Sequence, residues 1–490
     1  MSLKRQTLWS MLPLLSVTVV NLVSVPLFYR YLGAEKYALW FYVLTFGGMF
    51  GFADLGLGVA VGRYIGVALG KGDREAVRGY WATGNAVAIP LLVAMGCAFT
   101  LIGAFLGPKW FNVAPENVGL LQACFAVGGL SLFLSYYGQF WLILSQAHLD
   151  FRFIGILRTA ISLLQVIPAI GIAWWTGNPL LLVAWAAFTG LLQLAVFIWH
   201  AKSAYRLGLS WREASKSRMQ EMAGFTGKTM AMLVINSFIG SVDRLLLGKL
   251  GAPPDFAHYN IAANVGARLT SLSAAIMGPV FHNTNRAVGS STSDRAANVF
   301  DESFRLVFGW YLLAAVWVWV WSRPALALWL GPETASQVEP AFAPLITAYC
   351  LTSISNIASA QLSSLNRVGI LIAFNVSAAV AAGIGVVVGW HYWGLQGVAF
   401  GYLASRLVLV AQDLFVMRLI GAGGWLAPET WMKVLGQVAV ASVFALAGGM
   451  VGDRPALLLL FAGVHAALVG GFIMAEQLRG KKPSYRAGGT

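Results

Sequence analysis

Apolar residues run through this chain in blocks of twenty or more, separated by short polar stretches. A helix rises about 1.5 Å per residue, so roughly 20 apolar residues cross the hydrocarbon of a bilayer. On that rule the pattern predicts fourteen helices: 7–31, 37–69, 82–107, 118–146, 154–176, 180–200, 225–250, 257–284, 302–323, 343–365, 370–390, 395–419, 431–450 and 455–477. Residues 37–69 and 257–284 exceed one bilayer and are expected to tilt or to project into water. The expected fold class is an all-α integral membrane protein with about fourteen transmembrane helices.

The longest break in the apolar pattern is 201–224, with SAYRLGLSWREASKSRMQEM at its heart. Its mixed basic and apolar character suits either an interfacial helix or a solvated connector. Six predicted helices precede it and eight follow. A weak repeat crosses it: LFYRYLGAEKYAL at 27–39 and LLLGKLGAPPDFAHYNI at 245–261 each end a helix in Leu-Gly-Ala and enter the next through Tyr. Such internal repeats mark transporters built from two similar halves. The expected organisation is a six-helix bundle at 1–200, a linker at 201–224, a second six-helix bundle at 225–419, and a helix pair with a basic tail at 420–490.

Composition agrees with the pattern: 58% of residues are hydrophobic and 11% charged, against roughly a quarter charged in soluble domains. The net charge of +14 suggests nucleic acid until its placement is examined. With both termini cytoplasmic, twenty-two Lys and Arg fall on cytoplasmic segments and six on outer ones, as the positive-inside rule expects. No nucleic-acid partner is expected. Lys4-Arg5 and the apolar run after them resemble a signal peptide, but the run is too long and lacks a small-residue cleavage site, so it reads as an uncleaved span. Cys97, Cys124 and Cys350 sit in apolar runs and suggest neither disulfides nor a metal. No phosphate-binding GxxxxGK[ST] loop or His/Cys metal spacing occurs, and every outer loop is short, the longest being about 324–342. A membrane enzyme of cell-envelope assembly would ordinarily need a larger catalytic loop. The six histidines fall near predicted helix ends, where interfacial placement is expected.

Ionisable residues inside spans are expensive, so they face protein or water and mark candidate sites. Arg63, Arg158, Arg244, Arg268 and Arg406 outnumber Asp54, Asp243 and Asp413, which makes the interior net cationic. Arg268 and Arg406 lie near mid-span, Arg63 and Arg158 toward the cytoplasm and Arg244 toward the outside. Arg158 is also placed to snorkel. Arg406 and Asp413 are seven apart on one helical face and are expected to join one ion-pair network. The three aspartates are candidates for H⁺ or Na⁺ coupling or for structural pairing; no other cofactor is implied. Polar stripes follow helical spacing: Asn260, Asn264, Arg268 and Ser271; Ser131, Ser135 and Gln139; Thr352, Asn356, Ser359 and Ser363; and Asn236 with Asp243. They suit either sugar hydroxyls or helix–helix hydrogen bonds. Gly58, Gly62, Gly66 and Gly70 recur every fourth residue, which invites close approach by another helix.

PLFYRYLGAEKYALW, then FADLGLGVAVGRYIGVALGKGD, resembles the opening of bacterial polysaccharide (O-antigen and exopolysaccharide) flippases, of the superfamily that also holds multidrug and toxin extrusion antiporters and lipid II flippases. The resemblance extends, more weakly, to NSFIGSVDRLLLGKLGAPPDFAHYNIAANV. It implies two pseudo-symmetric six-helix bundles around a V-shaped cavity, alternating access, and an undecaprenyl-pyrophosphate-linked oligosaccharide as cargo. It implies pyrophosphate binding by Arg63, Arg244 and Arg268; Arg406 matches no family motif and is a candidate on its own chemistry. It implies, where charge alone does not, a location in the bacterial cytoplasmic (inner) membrane. It implies membrane lipids as partners, with a polysaccharide polymerase and glycosyltransferases beside them. A cation-coupled multidrug antiporter and a membrane enzyme of envelope assembly remain as alternatives.

Overall fold

The computed structural model describes residues 3–50, 52–209, 211–223, 237, 240–289, 293–365, 367–451 and 455–479. Among them no strand occurs. Fourteen helices follow in order: α1 Leu3–Met49, α2 Phe52–Gly70, α3 Arg74–Trp110, α4 Pro115–Ala147, α5 Phe151–Thr176, α6 Pro179–Ala204, α7 Val242–Leu250, α8 Pro253–Gly289, α9 Ser293–Leu330, α10 Pro332–Ser364, α11 Val368–Ser405, α12 Leu407–Ile420, α13 Pro428–Val451 and α14 Pro455–Arg479. Seven stretches among the described residues are long and apolar enough to cross a membrane, one of them spanning both α11 and α12. The chain is a multi-pass, all-α membrane protein.

Several boundaries depart from the periodicity. The long helix expected over 37–69 is divided: α1 runs to Met49 and α2 begins at Phe52. The first expected turn is a single residue, Gly33, whose φ of 73° and ψ of 165° kink α1 between its two arms. A side chain at that φ would be strained, and glycine is not. The expected outer loop at 324–342 is helical apart from Gly331, since α9 continues through Pro324 to Leu330 and α10 restarts with Pro332 in its first turn. Proline is well suited to that position, where its missing N–H would have no helical partner. Likewise α11 turns at Trp393 and Gly394 and breaks again before Arg406.

The chain forms two compact units, Met1–Asn260 and Ile261–Thr490. In the first, α2 lies against α4, with Gly58 and Gly62 both facing Ile143; among the described residues the expected glycine stripe works only there, because none lies within 4 Å of a Cβ at Gly66 or Gly70. Asp73, Asp150 and Asn178 cap the starts of α3, α5 and α6 by accepting main-chain N–H bonds. The corner of α4, α5 and α6 is tied by Asp150 Oδ2, which accepts from Tyr205 O–H at 3.1 Å and lies 3.0 Å from His200 Nε2. The segment after α6 is docked rather than free. Trp81 Nε1 donates to Gly208 O, Ser215 N to Thr83 Oγ1, and the Tyr64 and Tyr80 hydroxyls to Glu221. Leu207 and Met222 are buried beneath it, while Trp211 is exposed.

In the second unit α13 and α14 pack on α9. Leu313 of α9 meets Val469 and Ile473 of α14. Two indoles of α9 donate across the same contact, Trp317 to Ala462 O and Trp321 to His465 Nδ1, both at 3.1 Å. His465 is fully buried and stacks on Phe444, which corrects its expected interfacial placement. Its tryptophan and phenylalanine neighbours lie on other helices and left no mark in local spacing. The connector after α12 is clamped by Asp301, whose two oxygens accept from the amides of Gly423 and Gly424. Trp425 then wedges edge-on against Phe304 and Phe308.

Candidate functional site

In the first unit, Arg63 lies exposed on α2 with its guanidinium 5.9 Å from the ring of Tyr64. Asp54 lies on the same helix, but its side chain is outside the described residues, as is Asn236. Asp243 is buried and accepts a 2.7 Å bond from Tyr259 O–H. Arg244, its neighbour on α7, is half-buried. Gln139 accepts from Arg158 Nη2 at 2.8 Å, so this arginine is satisfied within the bundle.

The strongest polar grouping of this unit was not expected from the sequence. Tyr29 O–H and His258 Nε2 are 2.8 Å apart, joining α1 to the start of α8. Trp110 Nε1 and Asn112 Nδ2 donate to Leu245 O and Lys249 O, two carbonyls in the last turns of α7. Lys249 O lies in the last turn, where carbonyls lack intrahelical partners, so the residues ending α3 help to cap α7. Tyr42 stacks on Phe111 at 4.1 Å beside them.

Asn260 is buried and donates to Phe256 O in its own helix. Asn264, in the second unit, is half-buried on the same helix. The stripe on α10 is similarly occupied: Thr352, Ser359 and Ser363 each donate to the carbonyl four residues back. Their hydroxyl protons are engaged, and Ser359 Oγ also accepts from Gln412 Nε2 at 3.0 Å. Asn356 is half-buried among them.

Two cations of the second unit stand out. Arg268, half-buried on α8, makes no hydrogen bond or ion pair among the described residues. Arg406 is 7% exposed and has no carboxylate partner among them. Arg406 lies beside an aromatic pair, one ring of which also packs on α8. Tyr349 packs against the Cα of Gly266, two residues before Arg268, so that any Cβ there would enter its ring. Tyr349 and Tyr402 have centroids 5.9 Å apart, and the Arg406 guanidinium lies 4.3 Å from the Tyr402 centroid. Only the i, i+4 spacing of Tyr402 and Arg406 was legible in the sequence.

Arg406 and Asp413 do not form the expected network. The helix breaks at Arg406, which turns its side chain onto Tyr402 and Ser405. Asp413 points instead to α10 and the connector, where its Oδ2 accepts from Ser355 O–H at 2.9 Å and from Trp425 Nε1 at 3.2 Å. Among the described residues no group of His, Cys, Asp or Glu could hold a metal ion.

The sequence model for "Polysaccharide biosynthesis protein" matches residues 3–284. No curated protein matches by sequence. Among solved structures, the chain is similar to the lipid II flippase MurJ in an inward closed conformation, at TM-score 0.71 and 11% identity, covering 96% of this chain and 100% of that one. It is also similar to an inward-facing multidrug resistance MATE family transporter of the MOP superfamily, at TM-score 0.66 and 16% identity, covering 83% of this chain and 94% of that one. A mutant of the Vibrio cholerae MATE transporter VcmN follows at TM-score 0.58 and 17% identity, covering 85% and 95%. At these identities the likeness is one of fold.

Proposed function

The chain belongs to the polysaccharide biosynthesis protein family, and on that premise we propose that it is a flippase for an undecaprenyl-pyrophosphate-linked oligosaccharide. The supporting observation is the pair of cations without carboxylate partners among the described residues, Arg268 and Arg406, inside a helical membrane unit. A buried cation lacking an anion is costly, and insertion scales put arginine at about 2.5–3.5 kcal/mol at a helix centre. A diphosphate offsets that cost and has its own cost of entering hydrocarbon offset in turn. Arginine stays charged at every accessible pH and meets phosphate oxygens through a planar fork.

In this reading Arg63, Arg244, Arg268 and Arg406 receive the pyrophosphate in successive stages of an alternating-access cycle. Lone pairs on Gln139, Asn236, Asn260, Asn264 and Asn356 meet sugar hydroxyls, and the lipid tail stays in the bilayer. Both termini are cytoplasmic in the inner membrane. The moving bundles are 1–200 and 225–419, joined by 201–224, with 420–490 as an added pair. Asp243 and Asp413 serve structural pairing first, with coupling to H⁺ or Na⁺ a further role that they share with Asp54. A polymerase and glycosyltransferases act on either side of the step.

The likeness to MATE transporters favours one second reading, a cation-coupled drug antiporter. Cationic drugs call for acidic walls, and the excess of intramembrane arginine over aspartate opposes that. The deciding experiment is mass spectrometry of lipids from a deletion strain, with an impermeant reagent reporting the leaflet. The flippase reading expects lipid-linked oligosaccharide confined to the cytoplasmic leaflet. Normal amounts in the outer leaflet, with redundancy excluded, reject it, and drug hypersensitivity of the same strain then supports the antiporter.

A further inference from the structure

The stretch after α6 is tied to the protein at a definite depth. Gly208 O accepts from Trp81 Nε1 at 3.1 Å, and Ser215 N donates to Thr83 Oγ1 at 3.1 Å. Trp81 and Thr83 stand where the apolar run of α3, 82–107, begins. The stretch itself starts just past the apolar run of α6, 180–200. It is therefore held at the level where two spans pass from hydrocarbon to headgroups.

Its side chains divide between inward and outward. Arg206 turns the chain with a φ of 56°, and Leu207 beyond it is buried, as is Met222 at the far end. Between the two ties, Leu209 and Trp211 are 51% and 55% exposed. Met219 is exposed after them, and Trp199 is exposed near the end of α6. Tryptophan favours the boundary of hydrocarbon and headgroups, where its ring is apolar-facing and its N–H is wet. Lys202, Arg206, Arg212 and Lys216 are exposed and make no ion pair among the described residues. The methylenes of Lys202 pass close to Gly208, as a lysine does when its ammonium reaches outward. Of the two carboxylates in the stretch, Glu221 is engaged by Tyr80 O–H at 2.8 Å and Glu213 is exposed.

A strip both basic and apolar suits an acidic protein or an anionic lipid surface. Depth decides between them, because a protein docking at this level would have to displace the lipid around Trp199 and Trp211. We propose that the stretch after α6 is a seat for anionic phospholipid headgroups: Leu209 and Trp211 enter the interface, while Lys202, Arg206, Arg212 and Lys216 meet lipid phosphates. Each basic residue near an anionic surface strengthens partitioning about fivefold. The assignment is independent of the cargo proposed above.

The test uses the purified full chain in vesicles of phosphatidylcholine with added phosphatidylglycerol. Subtracting the fluorescence of Trp211→Phe from that of the wild type isolates one indole. Lipids brominated near the top of their acyl chains are expected to quench it, and aqueous iodide to reach it poorly. Quenching by iodide and not by bromolipid makes the stretch a solvated connector and overturns the proposal. The second arm reads charge. A rising share of phosphatidylglycerol is expected to raise the melting temperature of the wild type, because a ligand of the folded state stabilises it. Arg206→Gln, Arg212→Gln and Lys216→Gln combined are expected to lose roughly half or more of that rise, and to melt like the wild type in phosphatidylcholine alone. A rise kept in full by the triple variant overturns the proposal, as does the lack of any rise in the wild type. An equal rise with soluble polyglutamate in phosphatidylcholine vesicles also overturns it and assigns the strip to an acidic protein.

Discussion

Asp413 shows what one buried carboxylate asks of its surroundings. Its Oδ2 takes the Ser355 hydroxyl and the Trp425 indole, from elements 58 and 12 residues away in sequence. Asp413→Leu leaves both donors without an acceptor, and each buried unsatisfied group costs about 1–3 kcal/mol. A lowered melting temperature in detergent is expected, whereas Asp413→Asn keeps an oxygen for both donors and is expected to melt close to wild type. Tyr205 carries a pH dependence of its own. Burial, aided by the negative charge of Asp150, pushes its hydroxyl up to about 12, against about 10 in an unfolded chain. Its contribution to stability is whole below about pH 10 and is lost as pH rises through about 12. Alkaline melts of Tyr205→Phe should lack that loss. For transport, Arg63→Ala and Arg268→Ala, each inserted normally, are expected to abolish export in a complementation assay; full export by both removes these arginines from the mechanism. The intramembrane arginines were legible in the sequence because charge in an apolar run is conspicuous. The contacts around them were not: nothing near Asp413 in sequence names Ser355, and nothing near Gly266 names Tyr349.

Helices were legible where a start signal coincided with the apolar period. Asp150 and Asn178 stand at the caps, and Pro115 and Pro179 begin helices. The 324–342 stretch misled because its prolines and polar residues resemble a loop, yet Pro324 is accommodated inside α9 and Pro332 opens α10. The glycine stripe of α2 was half informative, since period four marks a face but not which part of the face is covered. The contact with Ile143 gives a paired prediction. Gly62→Ala must displace Ile143, at about 1–3 kcal/mol for overpacking, while the new Cβ of Gly66→Ala meets nothing within 4 Å. Thermal melts of the two variants should differ by that amount; equal melts would show that α2 does not rest on α4 as described.

At the scale of the molecule, the class of protein was legible from composition alone, and the count of basic residues per connector gave an orientation. Cysteine scanning with an impermeant thiol reagent checks it: residues placed at Ser203 and Glu213 should label from the cytoplasm, and those at Asn112 and Asn178 from outside. The reverse pattern would invert the proposed direction of transport. Which helices meet was beyond a single sequence, because apolar faces carry no address. The grip of Trp110 and Asn112 on the end of α7, across more than 130 residues, is of that kind.

The turns at Gly33, Gly331 and Trp393–Gly394 leave almost no chain between successive helices. Each such pair can enter the bilayer during synthesis as one hairpin. Those three turns offer proteases no extended substrate and antibodies no flexible epitope. They also offer the engineer no site for a tag.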